Sequence, residues 1–413
     1  MTELTSQDAR TFLIVGASLA GAKAAETLRA EGFAGRVILV GEEPEFPYER
    51  PPLSKGYLLG TQEREKAFLH ERAWYDEQNI ELRTGVRVEM IDPAAHTVTV
   101  AAGERLDYDK LLLTTGSVVR RLQVPGADLD GVHYLRGIEQ AEALRSVLGE
   151  GVGLVVVGGG WIGLEVTAAA RAHGASVTLV EVGSLPLQRV LGDEVAVVFA
   201  DLHAEHGVDL RLGAGVREIT GSGGRVASVT LDDGTSVPAD AVVVGVGITP
   251  AVELAEAAGL AVDNGVLTDA ALRTSDPDIY AAGDVANGYN PLLGRRIRVE
   301  HWANALHGGP AAARSMLGQE VVFDRVPYFF SDQYDLGMEY SGHAEPGGYD
   351  QVVFRGDVPG REFVAFWLAD GRVVAGMNVN IWDVTDDIQR LVRSGSPVDP
   401  DRLTNPAVAL TDV

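Results

Sequence analysis

There is no cysteine among the 413 residues. That absence removes several chemistries at once. No disulfide can brace the fold, no thiol can relay electrons or form a sulfenic acid, and no thiolate can ligate an iron–sulfur cluster. Basic residues are scarce as well: 34 Lys and Arg stand against 59 Asp and Glu, a formal charge of −25. Nucleic acid and anionic membrane surfaces both call for a basic face, so neither is expected as a partner. Long apolar runs are missing too, because Gly, Asp or Thr interrupts each one short of a bilayer-spanning length. The opening MTELTSQDAR is polar, without the basic start and apolar stretch of a secretory leader, and a cytoplasmic protein is expected. The 46% hydrophobic and 23% charged content is ordinary for a globular chain, and the length suggests two to four domains.

What is present is glycine at fixed spacing. Leu154–Val157 is an apolar run of buried-strand length. Gly158, Gly160 and Gly163 follow as G-x-G-x-x-G; then Leu164, Val166, Ala169 and Ala170 recur at helical spacing; Val177–Val180 is a second strand ending on Glu181. Gly158 allows the tight turn, Gly160 lets backbone approach a pyrophosphate, and Gly163 lets helix and strand pack closely. The helix N-terminus offers free N–H groups to the phosphates, and Glu181 stands where a carboxylate can accept bonds from ribose hydroxyls. A carboxylate there welcomes a free 2′-hydroxyl and repels a 2′-phosphate, so NADH is expected over NADPH. Phe12–Val15, the turn Gly16-Ala17-Ser18-Leu19-Ala20-Gly21, helix Ala22–Glu31, strand Val37–Val40 and Glu42 repeat the plan, with Ser18 at one glycine position. Two such units suggest two dinucleotides, FAD in one and NAD(P)H in the other.

The intervening segments repeat as well. Trp74–Ile80 reads as helix, and Glu81–Val88 with Thr97–Val100 as strands of a small antiparallel layer. Val216–Ile219 and Arg225–Leu231 form the matching layer in the second copy. Leu111–Leu113 leading into Thr114-Thr115-Gly116 is mirrored by Ala241–Val244 leading into Gly245-Val246-Gly247. The chain then returns through a strand at Asp276–Ala282, Gly283-Asp284, and a helix at His307–Leu317; after Val326 aromatics rise and alternating strands appear, followed by a helix at Val384–Arg393 and a polar tail. The expected architecture is α/β: two Rossmann-like dinucleotide-binding domains, the second inserted in the first, plus a C-terminal α+β domain. The expected boundaries are 1–118 with 247–325, 119–246, and 326–413.

The motifs VGASLAG, PYERPPLSK, VVGGGWIGLE, VGVGITP, YAAGD, VEHWANA and VPYFFSDQYD, spread over nearly the whole chain, resemble those of the FAD-containing, NADH-dependent ferredoxin reductases of bacterial oxygenases, the putidaredoxin-reductase-like group. Apoptosis-inducing-factor flavoproteins are more distant relatives. The resemblance implies FAD in the first domain, NADH in the second, and a third domain covering the flavin. It implies that Lys55 and Glu165 form the catalytic ion pair beside the flavin; two solvated surface charges are the plain alternative. It further implies FAD contacts at Gly16, Ser18, Ala20, Gly21, Glu42 (with Glu43 a rival), Arg50, Lys55, the Val88 main chain, Thr115, Gly283, Asp284 and Trp302. NADH contacts are implied at Gly158, Gly160, Ile162, Gly163, Glu181, Arg189, Gly247 and Glu300. Asp284 could instead cap a helix, and Trp302 could be core. Phe330 departs from the family's usual Trp and offers no N–H. His301, His307 and His343 are not spaced as a metal site, and no metal is expected.

The implied partner is a small iron–sulfur ferredoxin feeding a cytochrome P450 or ring-hydroxylating oxygenase. Such ferredoxins are acidic, which fits poorly with the charge of −25 and calls for a local basic patch; Arg295, Arg296 and Arg298 are candidates. Rubredoxin, a quinone or a small molecule as acceptor, or a slow flavin redox sensor, are the alternatives.

Overall fold

The computed structural model describes residues 8–413. The part of the opening segment that precedes Asp8 lies outside the described residues. Contacts along the chain divide it into two compact units. The first comprises Met1–Glu49 (described from Asp8), Arg64–Val118 and Thr249–Arg325; the second comprises Arg50–Glu63, Val119–Ile248 and Val326–Val413.

In the first unit, Thr11–Val15 is the centre of a five-stranded parallel sheet. It is flanked on one side by Arg36–Val40 and Ile80–Arg83, and on the other by Lys110–Leu113 and Ile279–Ala281. Its strands are near-continuous Val, Ile and Leu because helices cover the faces of such a sheet. Helices Leu19–Ala30 and Trp302–Met316 pack against one another here. A hypothetical Cβ on Gly309 would stand 2.1 Å from the Ala20 carbonyl oxygen, so only glycine allows that approach.

The second unit repeats the plan. Gly153–Val157 is central, with Ser176–Glu181 and Asp209–Leu212 to one side and Ala241–Val244 and Val132–His133 to the other. Each copy carries its own three-stranded antiparallel layer, Val88–Asp92, Thr97–Val100 and Arg105–Asp107 in the first, and Val216–Ser222, Arg225–Leu231 and Ser236–Pro238 in the second. The copies differ at one edge: the first takes its last strand from chain that follows the insertion, the second from chain that precedes its own nucleotide turn.

Residues 326–413 form a five-stranded antiparallel sheet, in the order Tyr328–Gln333, Leu336–Gly342, Arg372–Val379, Glu362–Ala369, Gln351–Asp357, with helix Thr385–Ser394 against it. Trp367, Phe363 and Met377 from this sheet share one apolar core with Leu164, Val166 and Phe199 of the second nucleotide-binding copy. A domain boundary at 325/326 is proposed where this sheet begins.

Three sequence expectations shift. The helix expected over Trp74–Ile80 is Arg72–Glu77, because Asn79 adopts φ +52 and Ile80 starts a strand. The strand expected over Glu81–Val88 is two: Ile80–Arg83 joins the parallel sheet, and only Val88–Asp92 belongs to the antiparallel layer. The helix expected to begin at His307 begins at Trp302 and keeps Pro310 inside. Pro310 forfeits one helical bond, and the packing around Gly309 holds the helix in spite of it.

Candidate functional site

Two glycine turns stand at the C-terminal ends of the two central strands. Gly16 has φ +115, and a Cβ there would lie 2.1 Å from the Thr114 carbonyl oxygen; one on Gly21 would lie 2.0 Å from that of Gly16. The second turn reproduces this: a Cβ on Gly158, at φ +105, would meet the Gly245 oxygen at 2.4 Å, and one on Gly163 the Gly158 oxygen at 2.0 Å. Gly160 is the exception, with nothing within 4 Å. Packing forces glycine at the first and last positions. At Gly160 the backbone conformation is extended, φ −80 and ψ 178, so neither packing nor backbone strain calls for glycine there. These cradles fit dinucleotides. The first-turn N–H groups of Leu19–Ala30 and Trp161–Ala172 have no intrahelical partners, and neither N-cap supplies a side-chain bond to them.

Around the first turn, Ser18 is the helix N-cap in extended conformation, and Gly283, at φ +77, lies beside Ala20. Asp284 sits within the short turn Gly283–Val285, whose cap is Ala282, so Asp284 is not itself the cap. Thr115 Oγ1 donates to the Ala251 carbonyl at 2.8 Å. Val88 is buried at a register irregularity of its strand. Glu42 is exposed and pairs with Arg87 at 3.2 Å, while its rival Glu43 accepts a hydrogen bond from Tyr48. Trp302 is partly exposed and donates from Nε1 to Glu49 at 3.2 Å, and Glu300 pairs with Arg298. Of the arginines considered for docking, Arg298 is engaged by Glu300, and Arg296 donates to the Thr268 and Asn287 carbonyls.

At the second turn, Glu181 accepts from the Gly159 N–H at 2.6 Å and the Gly183 N–H at 2.7 Å, which clamps the glycine turn to the next strand. Ile162 and Arg189 are exposed nearby in sequence, and the Gly247 carbonyl accepts from the Arg120 N–H at 3.0 Å. Arg50 and Lys55 belong to this second unit, although the boundary at 118 assigned them to the first nucleotide domain. Arg50 donates to the Arg136 carbonyl.

Lys55 follows the 3₁₀ turn Pro51–Ser54, whose two prolines stiffen it. Its Nζ lies 2.7 Å from Glu165 Oε1. Glu165 is only 3% exposed, on the first turns of Trp161–Ala172, and also accepts from Ser54 Oγ at 2.5 Å and Ser331 Oγ at 2.7 Å. Buried carboxylates need partners of this kind. The pair is therefore not two solvated surface charges. The Phe330 ring stands 5.3 Å from the Lys55 ammonium, a cation–π contact.

Sequence reading missed Ser54, Ser331, Gln333, His203 and Tyr334. A signal existed: Phe329, Ser331 and Gln333 alternate on one strand and are all buried, so two polar residues occupy the parity of the apolar face. Among the described residues no group of three or more His, Asp or Glu could hold a metal, and no helix is long and apolar enough to cross a membrane.

Two parallel-sheet units with paired phosphate cradles, and no thiol, define a two-dinucleotide oxidoreductase. The chain belongs to the pyridine nucleotide-disulphide oxidoreductase family, whose model matches residues 10–309; a reductase C-terminal model matches 328–413. It is 42% identical to the ferredoxin–NAD(+) reductase component of the anthranilate 1,2-dioxygenase system of Burkholderia cepacia, over 97% of this chain and 98% of that one. It is 41% identical to rhodocoxin reductase of Rhodococcus erythropolis, over 90% and 86% respectively. The reductase in the covalent putidaredoxin reductase–putidaredoxin complex superposes with a TM-score of 0.94 at 38% identity, covering 97% of each chain.

Proposed function

We propose that this protein is a cytoplasmic, FAD-dependent reductase that takes electrons from NADH and passes them singly to a small iron–sulfur ferredoxin, which supplies a cytochrome P450 or a ring-hydroxylating oxygenase. The observation that carries the reading is the Lys55–Glu165 pair, fixed by two serines in a chain with two dinucleotide cradles and no cysteine. Relatives named as ferredoxin–NAD(+) reductases support the choice of donor and acceptor.

Bound FAD supplies electron uptake in pairs and release one at a time. The chain's residues set the stage for it. The cradle of Gly16, Ser18, Ala20 and Gly21 would hold the FAD pyrophosphate, with Gly283 and Asp284 beside it. The cradle of Gly158, Gly160 and Gly163 would hold that of NADH, and Glu181 would select the unphosphorylated ribose. Lys55 offers a fixed positive charge to negative charge developing on the reduced cofactor, and Glu165 keeps that ammonium placed. Phe330 covers the lysine from one side.

The test is NADH-driven cytochrome c reduction with and without an added ferredoxin, run beside rubredoxin and a soluble quinone. Strong ferredoxin dependence supports the reading. Equal rates with rubredoxin or quinone and none with any ferredoxin would reassign the acceptor.

A further inference from the structure

Behind Glu165 runs a line of buried polar side chains that the proposed reaction does not use directly. Ser331 Oγ lies 2.7 Å from Glu165 Oε1; Gln333 Nε2 lies 3.1 Å from Ser331 Oγ; His203 Nε2 lies 2.9 Å from Gln333 Oε1; and the Tyr334 hydroxyl lies 3.2 Å from His203 Nδ1. Ser331 and Gln333 are each 1% exposed and His203 0%.

Chemistry fixes the direction of this line. A carboxylate only accepts, so the Ser331 proton points at Glu165. Ser331 then has only lone pairs for Gln333, which must present its amide N–H. The Gln333 oxygen consequently faces His203, whose Nε2 must carry a proton. Nδ1 is left as an acceptor, and the Tyr334 hydroxyl donates to it. Every donor points toward Glu165. Burial, with His206 adjacent, pushes the imidazole down to about 4, so at neutral pH the ring is neutral, and only the neutral ring leaves Nδ1 able to accept from Tyr334. Tyr334 is held at φ +55, unfavourable for a side chain of its size, with its ring stacked 3.6 Å from that of His206. The turn keeps that strain where the hydroxyl reaches His203.

We propose that His203, acting through Gln333 and Ser331, is a positioning residue that orients the Glu165 carboxylate and so fixes the Lys55 ammonium. The proposal rests on the reading of Lys55 and Glu165 given above. A line with one direction holds Oε1 in a single orientation. Breaking it at His203 or Gln333 removes the bonds that orient the Ser331 hydroxyl, so Oε1 is held less firmly beside Lys55 even though Ser54 still grips Oε2.

The experiment has two arms. In the first, the imidazole nitrogens of the FAD-loaded protein are observed by NMR. The Nε2–H tautomer is expected for His203 at neutral pH, with loss of that signature in Gln333→Leu. An Nδ1–H tautomer, or a charged ring, overturns the proposal. In the second, anaerobic reduction of the flavin by NADH is followed in His203→Leu, Gln333→Leu, Tyr334→Phe and His203→Gln, each checked for FAD content and circular dichroism. The limiting rate is expected to fall about tenfold in the first two, the cost of a misplaced charge, with NADH affinity unchanged. The fall is smaller in Tyr334→Phe. His203→Gln, which can still donate to Gln333, is expected to recover most of the rate. Wild-type rates in both leucine variants, alongside a slow Lys55→Met, overturn the proposal but leave the pair's role standing. A wild-type rate in Lys55→Met removes the role of the pair itself and overturns the proposal at that earlier step.

Discussion

Removing Lys55 and removing Glu165 have unequal consequences, and their difference measures the pair. Lys55→Met leaves a carboxylate that is 3% exposed with only the Ser54 and Ser331 hydroxyls for company. Stranding a buried charge in this way costs about 3–4 kcal/mol. Glu165→Gln leaves an ammonium on a side chain that is 15% exposed and can turn toward water, so the cost is nearer about 2 kcal/mol. In the double variant no charge remains and the amide still accepts from a serine, so the loss is only about 2–3 kcal/mol rather than the sum of the two. The coupling is therefore about 3 kcal/mol. The assay is urea unfolding of the FAD-saturated protein, followed through Trp161 and Trp367, which pack in or against the core of the second unit. FAD is held in excess throughout, since a ligand bound to the native state shifts the midpoint. Additivity within about 0.5 kcal/mol would refute the claim that these two groups form one buried unit.

Other consequences can be measured separately. His203, held at about 4 against an ordinary 6.5, binds its proton less readily folded than unfolded. Its contribution is complete above pH 6.5 and is lost as pH falls toward 4, by about 3 kcal/mol in full. The stability gap between the wild type and His203→Gln should thus shrink between pH 7 and pH 4.5 by at least about 1 kcal/mol; a gap independent of pH would show that this histidine is not buried neutral. Gly163→Val should fold poorly, because its Cβ would be driven into the Gly158 carbonyl. Gly160→Val should fold normally, since nothing lies within 4 Å, and should raise KM for NADH; equal folding defects in the two would contradict the assigned roles. Glu181→Ala should reduce the NADH over NADPH ratio of kcat/KM about tenfold or more, and should also cost about 1–2 kcal/mol by orphaning the Gly159 and Gly183 N–H groups. An unchanged coenzyme ratio would place selectivity elsewhere.

The two phosphate cradles were legible in the sequence because their constraint is local. Gly21 and Gly163, whose Cβ would fall about 2 Å from the carbonyl oxygens of Gly16 and Gly158, leave their mark within six residues of chain. The duplication was legible for the same reason, as each copy repeats strand, turn, helix and hairpin in order. Boundaries at Asn79 and Pro310 were less so, since a left-handed Asn and a tolerated proline depend on packing from distant chain. Lys55 and Glu165 lie 110 residues apart, and resemblance to a family, not spacing, singled them out. The polar line to His203 was not read at all. Its links join residues up to 166 apart, and only the wrong-parity Ser331 and Gln333 betrayed it. The arginines considered for docking show the converse: a run of charge in sequence, of which Arg296 and Arg298 are engaged within the fold.

Electrons are expected to pass from NADH to an iron–sulfur protein through FAD alone, with no thiol of this chain between. Anaerobic rapid mixing of the FAD-loaded protein with NADH, then with an oxidised ferredoxin, tests it directly. The flavin's visible absorbance should bleach within the dead time of turnover, NADPH should bleach it far more slowly, and ferredoxin should restore it as its own iron–sulfur spectrum is reduced. A protein that remains colourless after incubation with FAD, or a reduced flavin that no ferredoxin reoxidises, would contradict the account.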